Sequence, residues 1–318
     1  MYRYRSLVNI FLFMLIVMAA FGDNYNPFKI NDVRMFSQTV NDAVKTADPL
    51  YEEIKEKSRE YYEPPQNAVI DEVWKKMPGL NGVKVNVDKS YKQMKKQGKF
   101  NESLLVFDQI TPEVSLNDLP AAPIYRGHPD KRMVTLLINV SWGSEYIPPI
   151  LKTLKDHKIK AAFFIEGKWA KENPDYVEMI HEQGHIIGNH AYNHPDMARL
   201  SQQQAAEQIQ QTNDVIAAII DKKPEWFAPP SGSFNGGTVK AAHQMNMQTV
   251  LWTVDTIDWK NPTVSVMMNR VMNNIHPGAT ILMHPTASIA QGLGPLIKEI
   301  KENNYRIGTI STLLSEER

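Results

Sequence analysis

The chain has 318 residues, of which 42% are hydrophobic and 22% are charged, a composition typical of a globular protein with two domains or one large one. Its 35 basic and 35 acidic residues balance, so no overall charge favours nucleic acid as a partner. Cysteine is absent, which excludes disulfides, thiol nucleophiles and cysteine zinc sites. Any metal ligand must therefore be His, Asp, Glu or main chain.

The first residues have the pattern of an export signal. Arg3 and Arg5 precede an apolar run, Leu7 to Phe21, that only Asn9 interrupts. The run is short for a membrane span, which needs ~20 apolar residues, but it has the length of a signal-peptide core. We therefore predict that residues 1–22 are a signal peptide or an uncleaved membrane anchor. Either one exports the rest of the chain.

Residues 23–111 mix helical and strand patterns, which predicts an N-terminal helical and small α+β module. Helices are expected at 49–62, 67–76 and 90–97, strands at 83–87 and 103–107, and a proline-rich linker at 112–132. Within this region, residues 75–99 hold eight lysines and one aspartate. They form either a patch for an anionic wall polymer or membrane surface, or an ordinary solvated face.

From residue 133 onward, short apolar runs alternate with helix-length amphipathic stretches. The runs lie at 134–138, 161–165, 185–188, 226–228, 249–254, 280–283 and 306–309, with helices between them such as 147–157, 201–220 and 264–275. This alternation predicts parallel strands joined by right-handed crossovers, and about seven such units indicate a barrel-like sheet. Functional residues of such barrels collect at the carboxyl ends of the strands.

Polar side chains follow several of these runs. Asn139 follows the first run, His190 the third, Asp255 and Asp258 the fifth, and His284 the sixth. Scattered polar residues would not all fall at one end of the predicted strands. The sequence therefore predicts a site at the carboxyl end of the barrel.

Three segments in this region carry a resemblance to a known family. They are Gly188 to His194, with two histidines four apart, Asp255 to Trp259, and Leu282 to His284. Their order and spacing resemble the NodB-homology polysaccharide deacetylases (carbohydrate esterase family 4), and the resemblance covers residues 133–318. The sequence of residues 141–143, Ser-Trp-Gly, is similar to that of the sporulation-associated branch of this family. The resemblance implies a distorted seven-stranded (β/α) barrel that removes acetyl groups from N-acetylated sugars with a divalent metal, usually zinc.

The resemblance also implies roles for the polar residues. His190 and His194 match the two metal histidines, although an isolated pair of histidines would more often be structural. His284 matches the general acid, and Asp255 matches the carboxylate that tunes that histidine. Asn139 stands at the position of the catalytic base.

Other residues match the walls of the substrate pocket. Trp259 and Leu282 match the residues around the acetyl methyl group, although Leu282 alone would be read as ordinary core. Pro230 and Ser231 match the third motif, in which the Ser231 main-chain N–H is the oxyanion donor and does not depend on side-chain identity.

Three positions depart from the family pattern. Asn139 replaces the base aspartate, and an amide cannot accept the proton of a water molecule. Val140 replaces the metal aspartate and has no donor atom. Ala228 replaces the arginine that pairs with the base. One general base is worth ~10²–10⁴-fold in rate, so a severe loss of activity is expected.

Two functional classes follow from these observations. The first is an exported deacetylase of weak activity, whose zinc or other divalent metal is completed by water or by a carboxylate such as Asp196 or Glu145. The second is a pseudoenzyme of sporulation that binds wall polymer or a partner and has no activity. In both classes we expect the metal to be weakly bound or absent. The expected partner is an N-acetylated cell-wall polysaccharide, and the expected location is the cell envelope.

Overall fold

The computed structural model describes residues 48–318 together with Met14, so the predicted export signal lies outside the described residues apart from Met14. Within the described part, no helix is long and apolar enough to cross a membrane. Contacts divide the chain into two compact units. The described residues of the first are 48–62 and 85–108, and those of the second are 63–84 and 109–318.

The secondary structure of the described residues is as follows. The α-helices are α1 (Pro49–Lys57), α2 (Val87–Met94), α3 (Ile147–Asp156), α4 (Gly167–Glu172), α5 (Pro174–Glu182), α6 (Gln202–Ile220), α7 (Gly236–Gln244), α8 (Val264–Asn274), α9 (Ala287–Glu302) and α10 (Ile310–Leu314). The strands are β1 (Val69–Asp71), β2 (Lys75–Met77), β3 (Gly82–Val85), β4 (Phe107–Ile110), β5 (Met133–Val140), β6 (Ala162–Ile165), β7 (Ile186–Asn189), β8 (Trp226–Phe227), β9 (Gln248–Thr249), β10 (Val254–Asp255), β11 (Thr280–Met283) and β12 (Arg306–Ile307).

The first unit is built around the contact of α1 with α2. Helix α1 begins at Pro49, and the Asp48 side chain caps it by accepting a hydrogen bond of 2.9 Å from the Leu50 main-chain N–H. The same carboxylate accepts a hydrogen bond of 2.6 Å from the Tyr91 hydroxyl of α2. Leu50 and Ile54 of α1 pack with Tyr91 and Met94 of α2 in a small buried cluster.

The second unit contains a curled sheet of parallel strands. The strand order is β10-β11-β5-β6-β7-β8-β9, and β12 also pairs with β5. Each pair in this sheet is parallel. The arrangement confirms the predicted distorted seven-stranded (β/α) barrel. The sheet is open between β9 and β10.

Strand β5 lies at the centre of the unit, and each of its eight residues is buried. A strand covered on both faces reads as a continuous apolar run, which is why residues 134–138 were recognisable from the sequence. Helix α6 corresponds to the helix predicted at 201–220, and Ser201 caps it. The Ser201 hydroxyl accepts from the Gln204 N–H at 3.2 Å, and the Gln204 side chain accepts from the Ser201 N–H at 3.0 Å.

Two local predictions are wrong. Residues 67–76 form the antiparallel pair of β1 and β2 and not a helix. The Asp71 carboxylate accepts from the N–H groups of Val73 and Trp74 and so closes a turn that competes with helix formation. The strand expected at 103–107 lies at Phe107–Ile110, because the Asn101 side chain caps a short 3-10 helix at 102–104.

The residues of the predicted proline-rich linker, 112–132, belong to the same compact unit as the barrel. Ile124 is fully buried there and bridges Val250 in parallel. The domain boundaries drawn from the sequence stay predictions.

Candidate active site

The strands deliver the predicted site residues to one cavity. It lies at the carboxyl ends of β5, β7, β10 and β11 and has a volume of about 340 Å³. Its lining consists of Asn139, Ser141, Trp142, His190, His194, Ser231, Trp252, Asp255, Trp259, Leu282 and His284. Eight of the nine predicted site residues are in this set. The ninth, Pro230, is buried next to Ser231. The structure brings these residues together, and their roles stay predictions.

The ring of His190 makes one hydrogen bond within the described residues. Its Nδ1–H donates a hydrogen bond of 2.7 Å to the Ala228 carbonyl. Nε2 is therefore unprotonated and has a lone pair that could bind a metal. Burial, with smaller contributions from His194 and His284, lowers the pKa of His190 to about 3, so the ring is neutral at pH 7. The His194 ring lies 5.2 Å from the His190 ring, centroid to centroid. The two histidines that match the family's metal histidines are thus neighbours in the cavity.

A third metal ligand is missing from this pair. Val140 is fully buried and offers no donor atom. Within residues 48–318, no three His, Asp or Glu side chains are placed so that they could hold a metal ion. A catalytic zinc site needs three protein ligands and an open fourth position. The residues present therefore do not fit the family's metal.

The base position is equally incomplete. Asn139 is buried, and its side-chain oxygen has no hydrogen-bond partner among the described residues. A buried acceptor without a donor is costly, and it marks a place where a partner is missing. Ala228, at the position of the family's arginine, is only 2% exposed and offers no side-chain donor.

His284 is held by Asp258, a strand-end residue to which the sequence assigned no role. Its Nδ1 lies 3.0 Å from Asp258 Oδ1, and its main-chain N–H donates to Asp258 Oδ2 at 2.9 Å. The hydroxyls of Thr256 and Thr286 donate to the same carboxylate at 2.7 and 2.9 Å. Asp258 is completely buried, so these four hydrogen bonds hold it, and through it they hold His284 in one orientation.

Asp255, which was predicted to tune His284, has a different contact. Its carboxylate accepts a hydrogen bond of 2.8 Å from the Ile257 main-chain N–H. The carboxylate that contacts His284 is that of Asp258. Both aspartates belong to one short motif, and only the fold decides which of them reaches the histidine.

Neither carboxylate proposed as a substitute ligand lines the cavity. Asp196 accepts from the Ser233 hydroxyl at 2.5 Å and pairs with Arg199 at 3.0 Å, and Glu145 is exposed on a short 3-10 helix. Glu166 is the carboxylate that the sequence analysis missed. It directly follows β6, is 9% exposed, and accepts a hydrogen bond from Ser141. Burial raises its pKa, whereas Ser141 and the nearby His194 lower it. The strand-end rule, applied to β6, would have found it.

The backbone around the cavity is strained at several positions. Ala191, His194, Ser231 and Ile257 have φ values of 60°, 56°, 55° and 50°, in the left-handed region. Such conformations cost ~1–3 kcal/mol each in residues other than glycine and concentrate at functional sites. Ser231, which directly follows Pro230, lines the cavity in this conformation.

Aromatic side chains form much of the cavity wall. Trp142 lies parallel to His284, with 6.0 Å between ring centroids and 9° between planes. Trp259 is 49% exposed, and the Lys260 ammonium lies 4.9 Å from its ring centre. Trp252 and the buried Leu282 complete the apolar surface. Exposed indole faces of this kind suit the C–H faces of sugar rings.

Comparisons with known proteins agree with this geometry. The polysaccharide deacetylase family profile matches residues 126–250. The uncharacterized protein YlxY of Bacillus subtilis is 46% identical over 315 residues, which is 99% of each chain. The peptidoglycan-N-acetylglucosamine deacetylase of Bacillus cereus is 32% identical over 201 residues, covering 61% of this chain and 73% of that protein.

Among solved structures, one similar protein is described as a pseudoenzyme. The crystal structure of BA3943 from Bacillus anthracis, described as a pseudoenzyme of carbohydrate esterase family 4, is 50% identical. It superposes with a TM-score of 0.81, covering 85% of this chain and 96% of that one. A mutant of BA3943, 49% identical with the same TM-score, is described as having restored enzymatic activity.

Proposed function

The chain belongs to the polysaccharide deacetylases of carbohydrate esterase family 4, and from that premise we propose that it is an exported pseudoenzyme of the cell envelope. It binds N-acetylated cell-wall polysaccharide in the cavity at the strand ends. It hydrolyses the acetamide groups weakly or not at all. The observation that carries this proposal is the pair Asn139 and Val140 at the end of β5: the Asn139 amide cannot act as a base, and the Val140 side chain has no atom that could bind a metal.

Hydrolysis of an acetamide needs an activated water, an oxyanion donor and an acid for the leaving amine. His284, fixed by Asp258, is suited to donate a proton, and Ser231 lies on the cavity wall. What is lacking is the group that takes the proton from water. The metal of the family would polarise the acetyl carbonyl and acidify the water, but the donor set here does not fit it.

Binding does not need the missing groups. Trp142, Trp252 and Trp259 retain apolar faces for sugar rings, and Leu282 retains a buried wall for an acetyl methyl group. The described pseudoenzyme BA3943 supports the inactive alternative. The restored activity of its mutant supports the view that such a barrel keeps the rest of the apparatus.

The polymer and the location are part of the same proposal. The name of the Bacillus cereus relative supports peptidoglycan as the polymer. The Ser-Trp-Gly wording at 141–143 supports a role in sporulation, and the basic, then apolar, first 22 residues support export by a signal peptide or an anchor. A reporter fused after Arg132 should therefore be protected from the cytosol and accessible from outside. Reporter activity in the cytosol would contradict the proposal that the protein binds a cell-wall polymer.

The function itself is tested by measuring binding and turnover together. The wild-type protein should bind chitotetraose in calorimetry and release no more acetate from it than the variant His284→Ala. Trp259→Ala should weaken binding about tenfold, equivalent to ~1.4 kcal/mol, since it removes an exposed stacking surface. Val266→Ala is the matched control, because Val266 is also apolar and 55% exposed but lies on α8 outside the cavity.

Two results would count against the proposal. Equal chitotetraose affinities for wild type, Trp259→Ala and Val266→Ala would remove the cavity as the binding site. Robust acetate release that is lost in Glu166→Gln, Asp196→Ala or Glu145→Ala would show a working enzyme with a substitute carboxylate.

A further inference from the structure

A second concave surface lies at the opposite end of the barrel, where the strands begin. Two cavities, of about 260 and 510 Å³, share Glu225, Trp226 and Ser311. They lie beside Ile186, Trp226 and Gln248, the first residues of β7, β8 and β9. We call this continuous surface the strand-start groove. Since the candidate active site lies at the strand ends, the groove is separate from it.

Two lysines lie at one end of the strand-start groove. His181, Lys222 and Lys223 line it, and both lysines are exposed. Asp221 and Glu225 flank them in the chain, and the Glu225 carboxylate lies 3.7 Å from the Lys222 ammonium, a loose pair at the surface. Lys223 has no ion pair within residues 48–318. Lysine ammonium groups in this setting suit a carboxylate on a ligand.

A buried donor lies at the same end. His185 is 5% exposed and borders the cavity. Its Nδ1 accepts a hydrogen bond of 3.1 Å from the Ala161 N–H, so the proton of the neutral ring is on Nε2. Burial lowers the pKa of His185 to about 4, so the ring is a neutral donor at pH 7. The Phe163 ring fixes the imidazole from one side, edge to face at 5.2 Å.

The centre of the groove is an indole. Trp226 lines both cavities and is half-buried, and its buried part packs on the barrel cluster that contains Ala162 and Phe164. A tryptophan anchored in this way loses little conformational freedom when a ligand covers it. It is a rigid platform of the size of a sugar ring.

The other end of the groove is polar. Amides and hydroxyls predominate there, from Ser115, Asn117, Asn246, Gln248 and Ser315. The acidic residue at this end is Glu316, whose carboxylate accepts a hydrogen bond of 2.9 Å from the Leu116 main-chain N–H. The Gln248 side chain is held in place because its oxygen accepts a hydrogen bond of 3.0 Å from the buried Lys76 ammonium. Its NH₂ group is therefore presented in a fixed orientation. Amide and hydroxyl groups of this kind pair with the hydroxyls and acetamides of sugars.

From this order of lysines, indole and amides along the groove, we propose that the strand-start groove binds a glycan segment that carries a carboxylate. The sugar ring covers Trp226, the carboxylate reaches Lys222 and Lys223, and the adjoining sugar contacts the amide end. The proposal rests on the proposed function only for the class of polymer. A peptidoglycan disaccharide with a lactyl or peptide carboxylate has this chemistry, whereas chitotetraose lacks the carboxylate.

The test compares two probes and two sets of variants by NMR and calorimetry. A soluble disaccharide-peptide of peptidoglycan should bind the wild type at two sites, one of which shifts the Trp226 indole N–H resonance. The double variant Lys222→Gln, Lys223→Gln should weaken that second site at least about tenfold, and, since both lysines are exposed, it should fold normally. Trp226→Ala should remove the site, with thermal unfolding as its folding check.

The candidate active site supplies the matched control. Trp259→Ala should weaken the other site and leave the Trp226 shift unchanged, so failure of one proposal is distinguishable from failure of the other. Chitotetraose should shift Trp226 much less than the disaccharide-peptide. The inference is overturned if the disaccharide-peptide leaves the Trp226 resonance in place, if the lysine double variant binds as wild type does, or if inorganic phosphate displaces the ligand at equal concentration.

Discussion

Restoring three side chains should turn this protein into a deacetylase. The changes are Asn139→Asp, Val140→Asp and Ala228→Arg, which return a base, a metal ligand and the cation that pairs with the base. A positioned general base alone is worth ~10²–10⁴-fold in rate. Because base and metal act on the same water, the triple variant should exceed the wild type by at least the upper part of that range.

The surroundings of each position explain why single changes should do little. Asn139 is 4% exposed, and its oxygen has no partner in the part of the chain that the structure describes. An aspartate placed there alone would be a buried carboxylate without a cation and would stay protonated. Ala228 is 2% exposed, so an arginine placed there alone would be an unpaired buried charge. Val140→Asp alone adds a ligand beside two histidines but no base. Groups that work as a unit are not additive.

The assay is acetate release from chitotetraose with added zinc, with thermal unfolding as a check of each variant. Two controls isolate the chemistry. Adding His284→Ala to the triple variant should abolish the gain, and restoring Asn139 within it should remove most of the gain. If the folded, zinc-loaded triple variant stays inactive, the assignment of base and metal positions is wrong. If Val140→Asp alone equals the triple variant, the wild-type site already contains a base.

Three further outcomes can be measured independently. In equilibrium dialysis, Val140→Asp should bind zinc at least about tenfold more tightly than wild type, and adding His190→Ala should cancel the gain. Equal zinc contents with and without His190 would show that the metal binds elsewhere. Asp258→Asn should lower the free energy of unfolding by ~2–3 kcal/mol in urea titrations, because a completely buried carboxylate that accepts four hydrogen bonds is lost, whereas Asp255→Asn should change it by less than ~1 kcal/mol. The pKa of His185 falls from 6.5 to about 4 on folding, so the unfolded chain binds more protons between these values. The contribution of His185 to the free energy of unfolding is complete above pH 6.5 and falls by up to ~3 kcal/mol as the pH falls toward 4. Unfolding curves of His185→Gln should lack that part of the pH dependence.

The barrel was predictable because its strands are buried on both faces. Continuous apolar runs at 134–138, 161–165 and 280–283 correspond to β5, β6 and β11. The run at 249–254 is different, since the structure divides it into β9 and β10. After β9, the Val250 N–H still donates to Phe227 of β8, whereas the Leu251 N–H donates to Ile124, which lies outside the parallel strands. A single apolar pattern cannot reveal that its two ends pair with opposite edges of an open barrel.

The site was predictable in position and less so in its contacts. The strand-end rule placed Asn139, His190 and His284 at one cavity, and the structure brings them together there. It did not decide whether Asp255 or Asp258 contacts His284, because the choice depends on a local turn. Ile257, between the two aspartates, has a φ of 50°, and the following 3-10 helix contains Asp258, which is buried against His284. Sequence spacing does not encode such a turn for a β-branched residue.

The pattern of what is missing and what is kept follows from the energy of buried charge. In the family's arrangement, a carboxylate at 140 is neutralised by the metal. At a fully buried position without a metal, it would cost several kcal/mol, and Val140 removes that cost. Asp258 is just as buried, but its partners are hydrogen-bond donors of the protein itself, so it is stabilising whether or not a metal is bound. A protein that no longer binds the metal therefore gains stability when the carboxylate at position 140 is replaced. The same protein would lose stability if the hydrogen bonds of Asp258 were lost. The same separation leaves the tryptophan-lined cavity intact, which is what a binding function requires.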